Sequence, residues 1–207
     1  MKFFTQRTLK KLATAVVESD LTALKKHIAR LDEQQRQSRQ FDYQGRPVSL
    51  AELAILTGQP KALQQLLNAG CGYASEDTPL LYKAMQQAPE GLALCTVLLQ
   101  AGVETEYLQY SPNSAVSACF EYCPPTKLML FLSRLNEYGA DLNLPDDKGI
   151  SPLMKALQLE QQPLVQMLVN SGATIPDQIP AEWCSEAILQ CAKRCAEDLR
   201  IRQIMLG

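Results

Sequence analysis

The feature that most restricts this chain is a phrase that returns four times: an apolar residue or pair, a short spacer and a glycine. It reads Leu66-Leu67-Asn68-Ala69-Gly70, Leu98-Leu99-Gln100-Ala101-Gly102, Leu135-Asn136-Glu137-Tyr138-Gly139 and Leu168-Val169-Asn170-Ser171-Gly172, so the glycines stand 32, 37 and 33 residues apart. A period of this size marks a stack of supersecondary units, each burying its apolar face only against its neighbours. Glycine just past an apolar run is a helix stop, because it closes the last turn in the left-handed conformation without a Cβ penalty.

Helix starts precede two of these stops, at Thr78-Pro79-Leu80 and Ser151-Pro152-Leu153. The hydroxyl accepts a hydrogen bond from a free amide of the first turn, and proline at the first helical position gives up a donor that would have had no partner. Asp146-Asp147-Lys148-Gly149, ahead of the second start, supplies a tight turn. Each unit therefore reads as turn, short helix, loop, second helix, glycine.

With these residues in view the sequence resembles the ankyrin-repeat family, whose unit of about 33 residues carries a Thr-Pro-Leu-His-x-Ala phrase and a closing glycine. Segment 146–176 matches best, through Ser151-Pro152-Leu153, Ala156, Met167-Leu168-Val169 and Gly172-Ala173. Segment 73–105 keeps Thr78-Pro79-Leu80, Ala84, Val97-Leu98-Leu99 and Gly102, with extra residues near Ala88-Pro89-Glu90. Segment 42–72 keeps Asp42, Gly45, Ala54, Gly58 and Gly70. Segment 108–141 diverges most: Asn113-Ser114 stands where Thr-Pro belongs, and residues are inserted around Cys123-Pro124-Pro125. The family's histidine is replaced by Leu81 and Met154 in the two best repeats.

The resemblance implies an all-α fold, an ankyrin-repeat solenoid of stacked helix pairs. About four recognisable repeats (42–72, 73–105, 108–141, 146–176) lie between degenerate capping helices at 1–40 and 179–207, and 1–207 is expected to form a single domain. In the first cap Ala13, Val16, Val17, Leu21, Ala23 and Leu24 fall at helical spacing, with Asp20 as an N-cap. In the last, Leu189, Ala192, Ala196 and Leu199 define one helical face.

Catalytic chemistry finds little to work with. The one histidine, His27, lies in a lysine-flanked amphipathic helix and reads as a surface residue of the cap; GxGxxG and GxxxxGK[ST] phosphate loops are absent. Asp146-Asp147 and Glu104 with Glu106 read as turn formers and solvated charges. No catalytic residue, cofactor or metal ligand is assigned, and the chain is not expected to be an enzyme. Among seven cysteines, Cys184, Cys191 and Cys195 lie at i, i+7 and i+11, along one stripe of a single helix, and Cys119 and Cys123 are four apart. Without a CxxC pair they read first as small hydrophobes in helix packing. A cysteine-based redox- or metal-responsive regulator stays open as an alternative.

Residues 1–39 carry nine Lys/Arg against four Asp/Glu, whereas 40–182 carry seven against fifteen. An acidic body repels phosphate backbones, so no nucleic acid is expected as a partner. Arg7, Lys10 and Lys11 stand where a secretory signal would need its apolar segment, and no run approaches a membrane span. A cytoplasmic protein with no membrane contact, monomeric when unbound, is the expectation; export as an effector acting on a host protein is the other alternative.

The resemblance also implies the function: a scaffold or adaptor that binds another protein through the concave face of the array, its acidic lining favouring a partner with a basic surface. Carried across repeat by repeat, the exposed family positions include Tyr43 and Arg46, Asp77 and Gln86, Tyr110, Phe120 and Glu121, and Asp147, Lys148 and Gln158. Tyr122, beside the inserted prolines, joins Tyr110 and Phe120 as an aromatic anchor; Phe120 and Tyr122 read equally well as filling space left by the irregular third helix pair.

Overall fold

Serine caps start the first helix in three of the four repeats. The computed structural model describes residues 2–38, 41–71, 78–180 and 182–206, the side chains of 2–6 excepted. In it α1 (Lys2–Val17), α2 (Leu21–Ile28) and the short α3 (Glu33–Gln37) precede the repeats. The repeats are the helix pairs α4 (Leu50–Leu56) with α5 (Pro60–Asn68), α6 (Leu80–Met85) with α7 (Gly91–Gln100), α8 (Ala115–Tyr122) with α9 (Leu128–Glu137), and α10 (Pro152–Gln158) with α11 (Gln162–Asn170). Helix α12 (Glu186–Leu206) follows. An antiparallel hairpin, β1 (Phe41–Tyr43) with β2 (Arg46–Val48), leads into the first pair and is the one sheet among the described residues.

Ser49, Ser114 and Ser151 occupy N-cap positions, and their hydroxyls accept from the amides of Glu52, Ser117 and Met154 at 3.1, 3.1 and 3.3 Å. Ser114 therefore starts its helix without the proline of the family phrase. Pro79, expected inside the first turn of α6, instead holds the N-cap position itself. The reason is the buried small residue. Five positions beyond the N-caps stand Ala54, Ala84, Cys119 and Ala156, all fully shielded from solvent. The close approach of neighbouring helices fixes that position, so α6 begins wherever Ala84 falls into place, and its proline is displaced by one residue.

The expected stops are all present. Gly70, Gly102, Gly139 and Gly172 have φ of +71°, +77°, +82° and +96°. Past each, the next amide reaches back five residues, Cys71 to Leu66, Val103 to Leu98, Ala140 to Leu135 and Ala173 to Leu168, at 2.9 to 3.2 Å. This is the Schellman bond that satisfies a terminal carbonyl. The insertion at Cys123-Pro124-Pro125 becomes an extended step and one 3-10 turn (Pro125–Lys127) between α8 and α9. Each residue preceding a proline is pushed out of the helical region, which ends α8 there.

The chain divides into two compact units, Met1–Glu104 and Thr105–Gly207. Within the first, α1, α4 and α6 pack in series as one layer, and α2, α5 and α7 as the other. Within the second, α8 packs on α10, while α9, α11 and α12 form the opposing row. Leu63, Leu66, Leu81, Leu94 and Leu98 fill the first core, and Leu132, Leu157, Leu164 and Leu168 the second, all fully buried.

The caps differ from expectation in detail. Asp20 does cap α2, accepting from the Ala23 amide at 2.9 Å. The buried stripe, however, runs through Leu12, Ala15, Val16, Leu24 and Ile28, leaving Val17 and Leu21 exposed. At the far end Ile188 and Ala192 are buried, with Cys191, Cys195, Ala196 and Leu199 half-buried beside them. Helix α12 starts after Ser185, so Cys184 is not part of it and the expected stripe of three thiols is a pair. Among the described residues no helix is long and apolar enough to cross a membrane.

Candidate partner-binding site

The tip of the third repeat is built by its own backbone. The amide of Ala115 donates to Thr105 (2.7 Å), Tyr107 to Asn113 (2.7 Å) and Tyr110 to Tyr107 (2.8 Å), and Glu106 bridges Ser114. Tyr107 is buried as the base of this loop, and the half-buried Tyr110 ring meets it edge-on, with centroids 6.2 Å apart at 84°. Between them Leu108 stands 74% exposed.

Two hydrogen bonds tie this tip to the next. Asn113 Nδ2 donates to the Pro145 carbonyl at 3.0 Å, and Ser111 Oγ donates to Asp147 Oδ2. The receiving turn is held by Asp146, whose Oδ1 accepts from the Lys148 and Ile150 amides at 2.9 Å each. Its Oδ2 pairs with Lys155 Nζ at 2.8 Å, and that ammonium lies 5.5 Å from the centroid of Phe120. Burial alone would raise the Asp146 pKa; the hydrogen bonds from Lys155, Ile150 and Lys148 outweigh it and hold the carboxyl below its usual value. Asp146 is thus a paired turn former rather than a solvated charge, whereas Asp147 is exposed.

The structure places the expected contact residues unevenly. In the second unit Glu121, Asp147, Lys148 and Gln158 are exposed, on or beside α8, the Asp146 turn and α10. Phe120 is half-buried, its ring taken up by Lys155. Tyr122 is also half-buried, and burial, seconded by Glu121, pushes its phenol up. In the first unit Tyr43 and Arg46 pair across the hairpin, Arg46 exposed and Tyr43 turned inward so that its hydroxyl donates to the Leu56 carbonyl at 3.4 Å. Gln86 is exposed at the end of α6. Asp77 lies outside the described residues.

Leu108 was missed by the sequence reading. The only signal that could have found it was a large apolar residue flanked by polar ones in a segment without helical periodicity, which is weak on its own. His27 is likewise not the plain surface residue expected: its Nδ1 is buried without a hydrogen bond, and burial, then Arg30, Lys11 and Lys26, lower its pKa. Among the described residues no group of three His, Cys, Asp or Glu side chains is placed to hold a metal ion.

No protein-family model and no curated protein matches this sequence. The fold does have a solved counterpart. The chain is similar to the crystal structure of the ankyrin repeat domain of Bcl-3, described as a unique member of the IkappaB protein family. The two share 22% identity over 90% of this chain and 85% of that one, with a TM-score of 0.64. The fold is thus that of an ankyrin repeat domain, all-α and built of stacked helix pairs.

Proposed function

We propose that the chain is a non-enzymatic adaptor that binds another protein through the repeat tips and first-helix face of its second unit. The observation that carries this reading is Leu108, held 74% exposed on a tip that is itself hydrogen-bonded to its neighbour. An apolar side chain on a rigid loop loses little entropy on contact, and apolar and aromatic anchors in such settings dominate binding energy. Tyr110 adds an amphipathic ring beside it.

On the tips and first-helix face of this unit Glu106, Glu121 and Asp147 are exposed, against the exposed ammonium of Lys148. That balance favours a partner whose own apolar contact is ringed by lysine or arginine, and association should slow as salt is raised. Arg46 and Gln86 of the first unit are further contact positions in this reading, whereas Tyr43 serves chiefly to brace its hairpin against Leu56.

The test is affinity capture from the native cell with the unaltered chain and with Leu108→Asp plus Tyr110→Ala. Loss of a specific partner, with the helical circular dichroism unchanged, is the expected result. Retention of the same partner at the same yield sinks the site assignment.

A further inference from the structure

Between α11 and α12 a groove of about 610 Å³ opens in the second unit, apart from the tips described above. Its walls include Gln166, Cys191, Arg194, Cys195 and Asp198. Four of the other cysteines, Cys71, Cys95, Cys119 and Cys123, are buried in helix packing, where a thiol serves as a small hydrophobe. Cys191 and Cys195 differ. They stand one turn apart on the same face of α12, both half-buried at the groove, with thiols close enough to act on each other. The Gln166 amide donates to Cys191 Sγ at 3.7 Å from the facing helix.

We propose that Cys191 and Cys195 form a two-thiolate site for a soft monovalent metal ion of the Cu(I) type. Residues four apart on a helix have Cβ atoms about 5–6 Å from each other, so both sulfurs can meet one ion after a change of rotamer. Thiolate donors select soft ions. Zinc, which takes four ligands, would lack the rest of its shell, because no third His, Cys, Asp or Glu among the described residues completes the set. An ion content with two sulfurs has what it needs.

Binding leaves the oxidation state of the metal unchanged. Two S–H bonds break, two metal–sulfur bonds form, and two protons pass to solvent, leaving a bis-thiolate complex of charge −1. Arg194 on the groove wall and Arg202, close enough to act on the Cys195 thiol, face that charge, with Glu186 and Asp198 of the same wall opposing them. A free thiol is protonated at neutral pH and must lose its proton to bind. The ion therefore competes with protons, and uptake strengthens as pH rises.

The test is an anaerobic titration of the full chain, reduced, with Cu(I) shared against a coloured copper(I) chelator. One ion per chain should transfer, with a thiolate-to-copper band in the near ultraviolet and two sulfur neighbours by X-ray absorption. Cys191→Ala and Cys195→Ala keep a small apolar residue in the packing and should each weaken binding on the order of 100-fold or more, with circular dichroism unchanged. Cys184→Ala should bind like the unaltered chain. Unaltered affinity in either pair variant, equal loss in Cys184→Ala, or three or more sulfurs on the metal overturns the proposal.

Discussion

Lys83 Nζ and Glu52 Oε1 are 2.5 Å apart, and the pair joins the first helices of two successive repeats through a carboxylate that is only 1% exposed. Glu52 also closes a capping box, its Oε2 accepting from the Ser49 amide at 2.9 Å. One side chain thus starts α4 and anchors α6 to it. Lys83, at 19% exposure, reaches in from the rim.

Removing only the cation should therefore be costly. Lys83→Met strips the main charge partner from a buried carboxylate, and a loss of about 3 kcal/mol in urea unfolding is expected. Adding Glu52→Gln to that change removes the stranded charge while preserving the capping acceptor, so the double variant should be more stable than Lys83→Met alone. If the two effects simply add, the pair is not coupled as described.

Acid should act through Asp146. Its carboxyl titrates below the unfolded value of about 3.9, because Lys155 and two backbone amides favour the charged form. The fold is then stabilised above that unfolded value, and the contribution disappears as pH falls through the lower, folded one. Asp146→Asn should cost about 2 kcal/mol at pH 7 and progressively less as pH falls below the unfolded value, measured by urea unfolding across that range. An equal cost throughout excludes the charge as the cause.

Gly172 should be replaceable in space but not in backbone. Its φ is +96°, and a Cβ added there would meet nothing within 4 Å. Gly172→Ala should therefore lower stability by the left-handed penalty alone, about 1–2 kcal/mol, and Gly172→Asn by less. A drop several-fold larger on thermal unfolding would point to a contact that the glycine hides.

The helix stops and most starts were legible because they are local: the Schellman bonds at the four glycines depend on a few successive residues. Non-local packing was not. The displaced start at Pro79 follows from where Ala84 must fit between helices, and no local pattern distinguishes it from the start at Ser151. Exposure was legible where it followed repeat position, as at Glu121 and Gln158, and illegible where a neighbour claims the side chain. Phe120 under Lys155 and Tyr43 against Leu56 are of that kind. Cys184 fell outside α12 because Ser185, a good cap, stands directly after it.

The platform and the anchor of the third tip should be separable. Leu108 is exposed and pinned by nothing, so Leu108→Asp should leave stability within about 0.5 kcal/mol of the unaltered chain. Asn113 does the opposite work: its Nδ2 holds the Pro145 carbonyl, and its own Oδ1 is buried without a hydrogen bond. Asn113→Ala should cost about 1 kcal/mol. It should also speed hydrogen exchange at the Tyr107 and Tyr110 amides, whose loop bonds it helps to hold closed. Leu108→Asp should leave those two amides as slow as before. Fast exchange in both variants would mean that Leu108 packs where it was read as free; slow exchange in both would mean that the tip stands without its neighbour, and the rigidity on which a contact at Leu108 depends would have to come from the Tyr107–Tyr110 base alone.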